Sequence, residues 1–146
     1  MLRQMLLGLA ISALNIVIHA LVMTLVLQVA LKMEAFAKRR LSIVLSTAMT
    51  ATALVLMAAH VVEVCVWAAA YGVLGVTASS ERLIHFAFAN YTTLGYGDQL
   101  PTRRWEILGP MTAMNGVLLF GWSTAVLFEV LRAALTRAGR SLGRAD

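Results

Sequence analysis

Charged and polar residues leave three long stretches of this chain almost empty. Residues 5–31 carry no charge in 27 positions, 41–77 are interrupted only by His60 and Glu63, and 107–131 carry Glu129 near their end. An α-helix rises about 1.5 Å per residue and a bilayer core is about 30 Å thick, so each stretch is long enough to span. The first is too long for the apolar core of a secretion signal and has no clear cleavage site before Lys32, so it reads as a span. Between the second and third stretches, Ser79 and Ser80 can cap a helix, with Glu81 in the first turn where negative charge is favourable. The helix this predicts over 80–91 is too short to cross and should descend partway and return. The expected fold class is an all-α membrane protein with three transmembrane helices and a re-entrant segment.

Composition agrees. The chain of 146 residues is 60% hydrophobic and 13% charged, which leaves too little polar surface for a soluble globule. The net charge of +5 would suggest nucleic acid in a soluble protein; here it points to anchoring beside anionic headgroups, with no nucleic acid as partner. A lone Cys65 excludes an intrachain disulfide. Eight of the twelve Lys and Arg residues lie in the loop after the first stretch and in the tail, which places both in the cytoplasm and the N-terminus outside. The connection between the second and third spans then faces outward.

Residues 92–98, in that connection, read Thr-Thr-Leu-Gly-Tyr-Gly-Asp. Glycine admits the positive φ that a row of carbonyls aimed at one axis needs at alternate positions. Four such segments in a ring would replace the water shell of a potassium ion. The run resembles the selectivity filter of potassium channels, usually Thr-Val-Gly-Tyr-Gly followed by Asp, with Leu94 in place of Val. The resemblance covers about 90 residues, 41–131, and extends to Pro101 and Trp105, spaced as in simple two-span bacterial channels. It implies an extra span and loop over 1–40, a pore domain over 41–131 and a basic tail over 132–146. Within the pore domain it implies an outer helix over 41–77, a pore helix over 80–91, a filter over 92–98 and an inner helix over 106–131. It further implies a homotetramer and no cofactor beyond potassium ions held at Thr93, Leu94, Gly95 and Tyr96, with Gly97 completing the filter. Tyr96 matches the potassium-selective form; relatives with Asp there also conduct sodium.

The chain departs from the family pattern in the pore helix, where paired tryptophans give way to His85 and Phe86. A tryptophan there commonly bonds the aspartate after the filter, so His85 is expected to take that role toward Asp98, with Thr92 as a further filter support. Ala89 stands where some channels keep an acidic residue. In the inner helix, Gly116 and Gly121 are five apart as in the family, and either a gating hinge or close helix packing explains them. Asn115 is expected at the water cavity below the filter. Glu129 forms either a ring of carboxylates in a tetramer or a local pair with Arg132.

Polar groups inside spans are costly and usually face protein or water. Counting residues from the cytoplasmic ends puts Asn15 and His60 at similar depth, which predicts a bond between them in preference to one between His19 and His60. Glu63 is expected either to brace the short helix through Asn90 or Tyr91 or to reach the outer interface. No span has the arginine periodicity of a voltage sensor, and the 15 residues after 131 are too few for a regulatory domain. An enzyme is disfavoured, since no nucleophile–base pair or phosphate loop occurs and His19, His60 and His85 read as too scattered for zinc. The alternative to a conducting channel is a regulatory or potassium-sensing membrane protein that keeps the pore fold.

Overall fold

The computed structural model describes residues 1–32, 41–77, 82–95 and 101–142. Four helices carry them: α1 (Leu2–Lys32), α2 (Leu41–Leu74), the short α3 (Leu83–Tyr91) and α4 (Leu108–Leu142), with one 3-10 turn at Arg103–Trp105 before α4. Three segments are long and apolar enough to cross a membrane, Leu2–Val29, Leu45–Leu74 and Arg103–Thr136. α2 ends where Gly75 adopts a φ of 62° and the Val76 N–H closes back on the Tyr71 carbonyl at 3.0 Å. Both are features of a left-handed helix cap, which glycine provides without a Cβ penalty. α3 runs over 83–91 rather than from 80, and the serines expected to cap it lie outside the described residues. α4 does not stop at 131. Residues 132–138, Arg-Ala-Ala-Leu-Thr-Arg-Ala, are mostly good helix formers, and the helix continues into the basic tail.

α1 runs antiparallel to α2 and parallel to α4, which the packing partners show at each level. At one end Leu7 and Ile11 pack on a core of Val64, Trp67, Tyr71, Phe86, Leu108 and Met111. At the other, Met23 and Val26 pack with Leu56, Val126 and Val130. Between these apolar layers lies a polar one, with Asn15, His19, Glu63 and Asn115 each at most 2% exposed.

α3 is antiparallel to α2. Leu83 lies against Gly72, near the top of α2, and Tyr91 reaches Glu63, two and a half turns lower. By Thr102 the chain is back at the upper level, where its N–H donates to the Val76 carbonyl at 2.9 Å. The connection therefore enters at the level of Val76, descends along α3 to the polar layer and returns.

Candidate functional site

α3 delivers its C-terminal end to the polar layer. Its buried face, Phe86, Ala87, Ala89 and Tyr91, packs inward while Ile84 and Phe88 stay exposed. The following residues fold over the helix end: Thr92 N–H donates to the Phe88 carbonyl at 2.9 Å and Leu94 N–H to the Ala89 carbonyl at 2.9 Å. The Thr92 hydroxyl also donates to the Phe88 carbonyl, at 2.7 Å. Thr93 has φ of 60° and Gly95 of 54°. Glycine takes that conformation freely, but a β-branched threonine there is an outlier costing about 1–3 kcal/mol. Leu94 is 57% exposed. Tyr96, Gly97 and Asp98 lie outside the described residues. The expected His85–Asp98 contact therefore lies outside them too, and His85 itself is on the exposed face of α3.

The glycines of α4 separate. A Cβ on Gly116 would collide with the Tyr91 carbonyl oxygen and come within 3.2 Å of the Tyr91 ring, whereas a Cβ on Gly121 meets nothing within 4 Å. Close packing thus accounts for Gly116, and space remains at Gly121. Asn115, expected at a cavity, is buried: its Oδ1 accepts from Trp67 Nε1 at 3.0 Å and from Asn15 Nδ2 at 3.1 Å. The position follows from helical phase, since Asn115 shares the face of Met111 and Leu108 that packs toward α1 and α2. Glu129 pairs with Arg132 at 2.9 and 3.0 Å on the exposed surface, the local arrangement allowed by i,i+3 spacing.

The polar layer is a connected network. Glu63 accepts on both carboxylate oxygens, with His19 Nδ1 2.8 Å from Oε1, His60 Nδ1 2.9 Å from Oε2, and the Tyr91 hydroxyl donating to Oε2. On their far sides both imidazoles face Ser123, His60 Nε2 at 2.9 Å and His19 Nε2 at 3.4 Å from its Oγ. Glu63 thus braces α3 through Tyr91. Two sequence expectations are corrected here. Asn15 does not meet His60; its Nδ2 donates to the Glu63 backbone carbonyl at 3.2 Å. His19 takes the place beside His60, their ring centroids 5.3 Å apart. Nor are the histidines all scattered, since His19 and His60 converge on Glu63 and only His85 stands apart. The cause of both errors is helix stagger: α2 is displaced along α1 by about a turn from an Asn15–His60 pairing, which a residue tally from helix ends does not reveal. Ser123 and Trp67 carried no sequence signal of their own, although two span histidines near one span carboxylate did.

A family model described as "Ion channel" matches residues 52–133. The match takes in most of α2, all of α3 and α4 to its twenty-sixth residue, more than half of the chain. The chain belongs to this ion-channel family, whose domains are not catalytic, and is a multi-pass membrane protein. No curated protein and no solved structure matches it.

Proposed function

We propose that the chain is the subunit of a potassium-selective channel in which four copies surround one conduction path. The observation that carries this reading is where the Thr-Thr-Leu-Gly-Tyr-Gly-Asp run is attached. It follows directly on a short helix that ends in the polar layer, between two spans of an ion-channel domain. In this reading α3 is the pore helix, 92–98 the filter, α2 the outer helix and α4 the inner helix, with α1 an added span. The carbonyls of Thr93, Leu94, Gly95 and Tyr96 line the ion sites, Gly97 completes the turn, and Thr92, Asp98 and His85 support it. Positive φ at the alternate positions Thr93 and Gly95 supports the assignment, because alternation of this kind is what aims successive carbonyls to one side. The C-terminal end of α3 carries partial negative charge and favours a cation near it. The basic loop and tail lie in the cytoplasm, beside anionic lipid.

The test is potassium flux from liposomes containing purified protein, with sodium as comparison and barium as blocker. Barium-sensitive flux that favours potassium, lost in Gly95→Ala, is expected. Flux that does not distinguish the two ions would overturn potassium selectivity. Absence of flux from protein shown to be tetrameric would favour the potassium-sensing alternative.

A further inference from the structure

We infer that His19, His60 and Glu63 form a binding site for a divalent transition metal of the zinc class, within the membrane-spanning bundle and apart from the filter. One ligating atom from each residue lies within 4.8 Å of the others. Two imidazoles and a carboxylate are a donor set zinc accepts, leaving a fourth position open. An ion about 2.0–2.2 Å from three such atoms wants them about 3.3 Å apart, within reach of small side-chain movements from the spacing seen here.

The hydrogen bonds around the cluster are compatible with a cation at this point. Both histidines turn Nδ1 to the carboxylate, His60 Nδ1 lying also 3.0 Å from the Tyr91 hydroxyl, and Nε2 to the single hydroxyl of Ser123. If both rings are neutral and donate through Nδ1, both Nε2 atoms are acceptors, and one hydroxyl hydrogen can serve only one of them. The other would be an unsatisfied acceptor, which is costly, unless one imidazole takes a second proton or the Tyr91 hydroxyl turns to His60 Nδ1. With a metal on the Nδ1 side, each Nε2 carries hydrogen instead and Ser123 Oγ can accept from both through its two lone pairs. That is the outer-shell arrangement ligating histidines usually have.

Charge is consistent with this. Glu63 is fully buried with no Lys or Arg paired to it among the described residues. A buried carboxylate of this kind attracts positive charge. His60 is 14% exposed and lines a groove of about 420 Å³ between α2, α3 and α4. A metal here would tie α1 to α2 and, through Tyr91, hold the end of α3.

The inference is independent of potassium conduction, and its test uses no flux. Full-length protein in detergent, stripped with a chelator, is titrated with cobalt(II) and then zinc(II). One cobalt per chain with the visible bands of a tetrahedral ion, displaced by zinc, is expected. His19→Gln and Glu63→Gln should lose the bands at unchanged helical content and elution volume, and His85→Gln should keep them. Ser123→Ala should weaken binding about 10–100-fold, the usual effect of losing an outer-shell partner. Because loss can also follow misfolding, His60→Cys supplies a gain: it should still bind cobalt and add a thiolate-to-cobalt charge-transfer band. Absence of cobalt bands in the unmodified protein would overturn the site and leave a hydrogen-bonded cluster closed by a proton. Full binding in Glu63→Gln, or a His60→Cys protein that binds cobalt without the new band, would overturn the ligand assignment.

Discussion

Single atoms decide much in a layer where water is scarce. The Tyr91 hydroxyl donates to the Glu63 carboxylate, and Tyr91→Phe removes that bond without changing ring packing. A hydrogen bond to a charged acceptor is worth about 1.5–3 kcal/mol, and the variant should lose stability of that order in thermal unfolding of detergent-solubilised protein. The two α4 glycines should respond in opposite senses. Gly116→Ala forces a methyl against the Tyr91 backbone and should cost about 1–3 kcal/mol, as overpacking does. Gly121→Ala enters open space and should raise stability by up to about 1 kcal/mol through helix propensity. Equal melting shifts for the pair would contradict the packing described for Gly116.

The elements were more legible in the sequence than the contacts between them. Long uncharged runs gave away α1, α2 and α4 because hydrocarbon tolerates few alternatives to a continuous helix. The end of α4 was missed because charge, which marks the membrane boundary, does not stop a helix. Asn115 was misjudged because which side of a helix faces a neighbour depends on crossing and stagger, and neither is written in hydropathy. His19 and Glu63, 44 positions apart, meet only because α2 is offset along α1. The network also gives α1 an integral role. Without residues 1–32, Asn115 loses Asn15, and Glu63 loses His19. A chain lacking them should aggregate or lose helix by circular dichroism, whereas a merely peripheral α1 would leave a well-behaved remainder.

For the whole molecule, exposed apolar residues such as Met114, Val117 and Leu118 on α4 and Val55 and Val62 on α2 are surfaces for lipid or for neighbouring copies. The proposed orientation has a direct check. In a Cys65→Ser background, Arg103→Cys should react with a membrane-impermeant maleimide from outside only, and Arg137→Cys from the cytoplasmic side only. The reverse pattern would invert the topology and place the return segment on the wrong face for a filter entered from outside.

Gly116 touching the Tyr91 carbonyl has a mechanical consequence. A helix that meets another chain segment backbone to backbone is a beam built in at that point, with no side chain to act as cushion. A little further on the helix is tied again, where the Phe120 ring packs on Tyr91 and Ser123 faces His60, on either side of the open space at Gly121. A load applied to α4 beyond Ser123 would therefore reach Tyr91 and its neighbour Thr92 through these ties instead of being absorbed as bending at Gly121. Movement of the far part of α4 and the geometry around Thr92 would then be coupled.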